Sequence, residues 1–199
     1  MTSARPQLLL LDFDGLLADY DHRVHLQRLA ASAGCPVEAL DRALRADGLE
    51  LAHARGELDA DGLLGELNAR LGSALQASHW QAARRAATSV RRDVCDVLAR
   101  VAPQVRVAIL SNNGALTAPV IAQLLPDWPV LCSATLGVRK PDPRAYLAAA
   151  AHFGATPASS LFVDHLFRNV RGARLAGLHA DTAHHAQSLR RLLRRFHLL

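Results

Sequence analysis

Four consecutive leucines, Leu8 to Leu11, run straight into Asp12-Phe13-Asp14-Gly15. An apolar run this short, ended by polar residues and a glycine, predicts a strand buried on both faces. Short apolar runs recur at Val105 to Leu110, Val130 to Cys132, Leu161 to Val163 and Leu178 to Ala180. Between and after them the apolar period lengthens to that of a helix, over Ala115 to Leu124, Arg144 to Phe153, Arg168 to Ala176 and Ala183 to Leu199. Strands alternating with helices predict an α/β core around an open parallel sheet.

One stretch departs from this alternation. From Asp19 to about Arg85 only helical periods appear, broken by turn residues, and no β-rich run. His22 to Ala33 is stopped by Gly34-Cys35-Pro36, and Pro36 is placed to open Val37 to Arg45. Leu49 to Ala54 is a shorter helix. Asp59 suits the N-cap of Asp61 to Leu71, with Gly72 as its stop. Ser78 is expected to start a long helix from His79 to about Arg100, leading back toward the sheet.

Composition narrows the class. The chain has 199 residues, half of them hydrophobic, which is ample for one core domain with a modest insert. The net charge of +5 suits acidic small molecules as well as nucleic acid and decides little. Cys35, Cys95 and Cys132 are odd in number and widely spaced, so reduced thiols and a cytoplasmic setting are expected rather than a disulfide framework or a zinc site. Neither a signal peptide nor a membrane span fits the first residues. The last helix interleaves Arg190, Arg191, Arg194 and Arg195 with leucines, a basic amphipathic pattern that also occurs in elements binding nucleic acid. Packing on the sheet with the arginines in solvent is the preferred expectation, so no nucleic-acid and no membrane partner is expected.

The chemistry gathers at predicted strand ends. Asp12 and Asp14 project to the same side while the backbone is extended, at the carboxyl end of the strand, where open α/β sheets bind ligands. Two like charges held together call for a cation or a shared proton. Such a pair can set an ionised nucleophile beside a protonated acid, although the four residues also suit a plain turn. Ser111-Asn112-Asn113-Gly114 lies between a strand and a helix N-terminus, where free amides make an anion site or simply a cap. Lys140, the chain's only lysine, stands in Lys140-Pro141-Asp142-Pro143, with Asp142 and Pro143 opening the next helix. There it is a compact point charge able to neutralise phosphate and carboxylates. The strand at Leu161 delivers Asp164 and His165.

Taken in order, these stretches resemble the motifs of the haloacid dehalogenase superfamily. Asp12-Phe13-Asp14-Gly15-Leu16-Leu17 resembles the first, with Leu16 in place of the commoner threonine. Ser111 resembles the second, Lys140-Pro141-Asp142-Pro143 the third, and Leu161 to Ala180 the fourth. The resemblance implies a Rossmann-like parallel-sheet core over residues 1–17 and 86–199, with a small all-helical cap over residues 18–85 that closes on the site and selects substrate. It implies that Asp12 attacks a phosphoryl group and Asp14 protonates the leaving oxygen, while Ser111, Asn112 and Lys140 bind the phosphoryl oxygens. It also implies Mg2+ held by Asp12, the main-chain carbonyl of Asp14, and Asp164. Cap residues Tyr20, His22, Arg23, His25, His53 and Arg55 are candidates to face the substrate.

One position departs. His165 stands where close relatives carry a second acid that usually binds the metal directly. Mg2+ prefers oxygen ligands, whereas imidazole suits softer divalent metals, so Mg2+ affinity is expected to fall or metal preference to shift. The activity implied is a metal-dependent phosphatase acting on a small phosphorylated metabolite through an aspartyl-phosphate. A catalytically impaired member that binds a phosphorylated ligand is the alternative. A dehalogenase is disfavoured because a leaving halide needs no protonation by Asp14.

Overall fold

The computed structural model describes residues 5–199. Strand β1 (Leu8–Leu11) leads into the short strand β2 (Ala18–Tyr20) and then the helices α1 (His22–Ala33), α2 (Val37–Arg45), α3 (Leu49–Ala54), α4 (Ala60–Leu71) and α5 (Ala77–Ala86). The chain returns through β3 (Thr88–Val90) and α6 (Arg92–Leu98) to β4 (Arg106–Ser111), α7 (Ala118–Leu124), β5 (Val130–Cys132), α8 (Ser133–Leu136) and α9 (Pro143–His152). It ends with β6 (Ser160–Asp164), α10 (Phe167–Leu175), β7 (His179–Thr182) and α11 (Ala186–Arg195).

Five strands form one parallel sheet in the order β5-β4-β1-β6-β7. The leucine strand is central, which is why it carries no polar residue: all four of its side chains are buried. Alternate leucines serve opposite faces. Leu9 and Leu11 join Val94 and Val97 of α6 and Leu189 and Leu193 of α11. Leu8 and Leu10 join Tyr146 and Ala149 of α9 and Val170 and Ala173 of α10. The result is a Rossmann-like α/β core with helices on both faces. The order in which strands are added reverses at β1, with β4 and β5 on one side and β6 and β7 on the other, so the C-terminal ends of β1, β4 and β6 open on one crevice.

Helices α1 to α5 bury a separate cluster, among them Leu29, Leu40, Leu63, Leu67 and Trp80, to which the core contributes Leu116. Four sequence expectations change. The long helix from His79 does not exist: α5 ends at Ala86, β3 intervenes, and α6 starts at Arg92. The region is also not free of strands, since β2 and β3 pair antiparallel with Ala18 opposite Val90 and Tyr20 opposite Thr88. The Thr88 hydroxyl donates to the Arg84 carbonyl at 2.8 Å, and the Arg91 N–H donates to the Leu17 carbonyl at 2.9 Å, so the two crossings between the layers hold each other. Helix α7 starts at Ala118 rather than Ala115 because Pro119 lacks an N–H and fits only a first turn. The last helix starts at Ala186, since the Ala183 N–H is still bonded to the Asp164 carbonyl at 3.1 Å. Its leucines pack on the sheet, as expected from their spacing.

Candidate active site

Asp12 follows β1 directly, and its N–H donates to the Val163 carbonyl of β6 at 2.9 Å. The next residues fold into a tight turn in which the Phe13 carbonyl accepts from Leu17 at 2.9 Å and Ala18 at 3.0 Å. Gly15 sits there at φ 86°, and a Cβ on it would meet the His165 ring at 2.5 Å. Glycine is thus required both for the left-handed backbone and for the imidazole lying over it.

Lys140 enters from the loop between α8 and α9 and is 3% exposed. Its ammonium donates to Asp12 Oδ1 at 2.6 Å, the Leu110 carbonyl at 2.7 Å and Asp164 Oδ2 at 3.2 Å. Three donors meet three acceptors, which is what a buried ammonium needs. The loop that aims it is fixed by Asn112, whose amide nitrogen donates to the Lys140 carbonyl at 2.8 Å and whose oxygen accepts the Lys140 N–H at 2.9 Å. Gly172 of α10 lets the Pro141 carbonyl approach so closely that a Cβ would collide with it.

Asp164 ends β6 fully buried. Its Oδ1 accepts the Leu166 N–H at 2.7 Å and its Oδ2 accepts Asn169 Nδ2 at 2.8 Å. Asn169 lies inside α10 and orients this carboxylate; it does not cap the helix. His165 Nδ1 lies 3.0 Å from Asp12 Oδ2 and 3.4 Å from Asp164 Oδ1. Burial pushes the Asp12 carboxyl up, but the Lys140 ammonium and the His165 hydrogen bond outweigh it and hold the group below the usual range. Burial likewise opposes the charge on Lys140, and the Asp12 and Asp164 carboxylates more than compensate, so its pKa is raised. The hydrogen bond to Asp12 raises the His165 pKa against the effect of burial. The cluster is therefore a carboxylate held ionised between the Lys140 ammonium and the His165 ring at the end of the central strand.

Asp14 has different neighbours. One oxygen is ion-paired with Nη2 of Arg84 from α5, and the other accepts Asn113 Nδ2 at 3.0 Å. The same Asn113 amide donates to Ser111 Oγ at 2.7 Å, linking the end of β4 to Asp14. Arg84 is 2% exposed and its guanidinium lies 3.7 Å over the Tyr20 ring. Helical periodicity gave no signal for this arginine, because its partner lies seventy residues away in sequence.

Of the candidate cap residues, Tyr20 and His25 are bonded to each other at 2.6 Å. His53 is buried against Gly114, with Nδ1 2.9 Å from the Leu58 carbonyl. Arg55 reaches a cavity beside Asn112 and Lys140. Among the described residues, one group of acids and histidines is arranged to hold a metal ion, Asp12, Asp164 and His165, with ligand atoms all within 4.8 Å of one another. Two carboxylates and an imidazole are a donor set for a divalent cation, more mixed than Mg2+ prefers.

The family model for haloacid dehalogenase-like hydrolases matches residues 6–177. The chain belongs to this family of hydrolases. A curated phosphatase of Mycobacterium tuberculosis is 40% identical over 80 residues, and that match spans 38% of this chain and 37% of the relative. A HAD family enzyme of Bacteroides thetaiotaomicron, solved as a magnesium complex, superposes with a TM-score of 0.76 at 18% identity, covering 95% of this chain and 98% of that one. The same enzyme has been solved with magnesium and inorganic phosphate, at a TM-score of 0.74, 18% identity, and coverage of 89% of this chain and 93% of that one. A HAD-like hydrolase of Porphyromonas gingivalis gives a TM-score of 0.75 at 22% identity, covering 96% of this chain and 99% of that one. No described helix is long and apolar enough to cross a membrane.

Proposed function

We propose that this hydrolase cleaves small phosphate monoesters through an aspartyl-phosphate on Asp12. The observation that carries the reading is the Asp12 carboxylate, held ionised 2.6 Å from the Lys140 ammonium at the end of the central strand. An Asp12 oxygen attacks phosphorus while the ester P–O bond breaks, and Asp14 gives a proton to the departing alkoxide. Water then attacks the acyl phosphate, passing its proton to Asp14, and inorganic phosphate leaves. Ser111, the Asn112 amide and Lys140 bind the phosphoryl oxygens, where preorganised positive charge is the largest contribution to rate. Arg84 binds Asp14 as a carboxylate, so proton donation needs that contact to loosen, which links the proton step to movement of the helical layer over residues 18–85. We read that layer as the cap and residues 1–17 and 86–199 as the core.

Asp12, Asp164 and His165, with the main-chain carbonyl of Asp14, would hold a divalent ion, Mg2+ or a softer one. When bound, such an ion neutralises charge on the transferring phosphoryl group. The close approach of His165 to Asp12 also supports a second reading, in which the imidazolium occupies the cation's place and the protein binds phosphorylated ligands without turnover. Phosphate release from an aryl phosphate, with no metal and with Mg2+, Mn2+, Co2+ or Zn2+, separates the two. Turnover that vanishes in Asp12→Asn is expected. Full activity in Asp12→Asn overturns the nucleophile assignment. Silence in the wild type with activity in His165→Asp establishes the second reading.

A further inference from the structure

A cavity of about 800 Å³ opens where the turn after α3 faces the loop between α8 and α9. It borders the phosphate site, because Asn112 and Lys140 line it as well. Its remaining polar wall is dominated by arginine: Arg55 from the helical layer, and Arg139, Arg144 and Arg168 from the core. Two of these are answered locally. Arg144 is paired with Asp142 at 2.7 Å, and Arg55 stands 3.7 Å from Glu57 in a largely exposed contact of small value. Arg139 and Arg168 make no ion pair among the described residues, although Glu50 lies near enough to Arg139 to favour its charge. Burial, and then the guanidiniums of Arg55 and Arg168, hold Arg139 below the usual arginine range. Like charges gathered around one opening, with Arg139 half-buried and Arg55, Arg144 and Arg168 exposed, repel each other until an anion enters. Guanidinium is the group suited to planar, bidentate binding of carboxylate or phosphate.

We propose that this cavity receives a second anionic group of the substrate, so that the preferred substrate is a small phosphate monoester carrying a further phosphate or carboxylate on its leaving alcohol. The proposal rests on the hydrolytic reading above and names its substrate class. The wall is shared between layers, with Arg55 on one side and Arg139 and Arg168 on the other. A doubly charged substrate therefore bridges them, and a singly charged one does not.

Two matched pairs of probes test this, in wild type and in Arg139→Gln/Arg168→Gln. Fructose 1,6-bisphosphate against fructose 6-phosphate isolates a second phosphate, and 3-phosphoglycerate against glycerol 3-phosphate isolates a carboxylate. The wild type is expected to favour the doubly charged member of at least one pair by about tenfold in kcat/KM, the size of one charge-assisted contact. The pair that shows it identifies the anion. The double variant is expected to lose that preference through KM. Equal kcat/KM within both pairs, or a preference that survives in the double variant, overturns the proposal. No phosphate release from any probe with any metal overturns the hydrolytic reading instead. Calorimetric binding of the same four compounds then decides the cavity separately. A binding preference abolished by the double variant supports it, and equal binding within both pairs, undetectable binding included, sinks it.

Discussion

Lys140 is the side chain on which the others at the site depend. It neutralises Asp12 and Asp164, both buried, and its own charge is tolerable only because all three of its protons are placed. Removing one partner of a buried pair leaves the other uncompensated, at a cost of about 3–5 kcal/mol. Lys140→Met is therefore expected to lower unfolding stability by that order in urea titration, besides losing activity. A nearly unchanged midpoint would show that Asp12 and Asp164 share a proton. His25 makes a different prediction. Burial, then Arg84 and His22, pull its pKa down from the ordinary 6.5 to about 3. The unfolded chain takes up a proton below about 6.5 and the folded one does not, so this group makes stability fall as pH falls from 6.5 toward 3, by at most about 1.4 kcal/mol per pH unit. In His25→Phe that part of the acid slope should vanish, read as the difference between the two proteins' denaturation midpoints at pH 7 and pH 5. Parallel curves would mean that His25 also escapes water in the denatured state.

Helix α5 does more than cover its own layer. Through Arg84 it reaches Asp14, and through the Thr88 hydroxyl bonded to the Arg84 carbonyl it is tied to the β2–β3 ribbon. Arg84→Ala breaks an ion pair with one buried partner and one about 30% exposed, so the loss is expected at about 1–3 kcal/mol, discounted from a fully buried pair. Turnover of a generic aryl phosphate should change together with stability if α5 holds Asp14 in place. A stability loss with unaltered turnover would leave Arg84 a purely structural residue. The helices themselves were plain in the chain: His22–Ala33, Val37–Arg45 and Leu49–Ala54 have the bounds that their apolar spacing and Gly or Pro stops predict. Asp59 caps α4 with its side chain on the Gly62 N–H, and Asp142 caps α9 on the Arg144 N–H. The β2–β3 ribbon was not legible, because each strand is three residues long and finds its partner only across the whole helical insert. Nothing local distinguishes Thr88-Ser89-Val90 from a turn of helix.

The described residues form three hydrophobic clusters, one on each face of the sheet and one among α1 to α5. Separate clusters joined by two short crossings favour separate opening. Amide exchange is expected to show β1, β4 and β6 protected to the level of global unfolding, with α1, α4 and α5 opening at a lower free energy as a group. A single exchange class across both would mean that the Arg84 and Leu116 contacts weld the layers into one cooperative unit. The arginine-lined cavity lies on this same boundary, so a bound dianion should raise the protection of α3 relative to free protein.

Local order was enough to predict a parallel α/β core with a helical insert, because period, caps and breakers act within a few residues. Local order also pointed to Asp12, Asp14, Ser111, Asn112, Lys140, Asp164 and His165, since strand ends, helix starts and a solitary lysine are visible without partners. What each of these touches was decided by the fold. Lys140 stands between two carboxylates, and His165 lies against Asp12 across the glycine of the first turn. Arg84 holds Asp14 from another layer, and arginines from distant segments share one wall. Such contacts join residues far apart along the chain, and their energies depend on burial and distance, which exist only once the layers have packed.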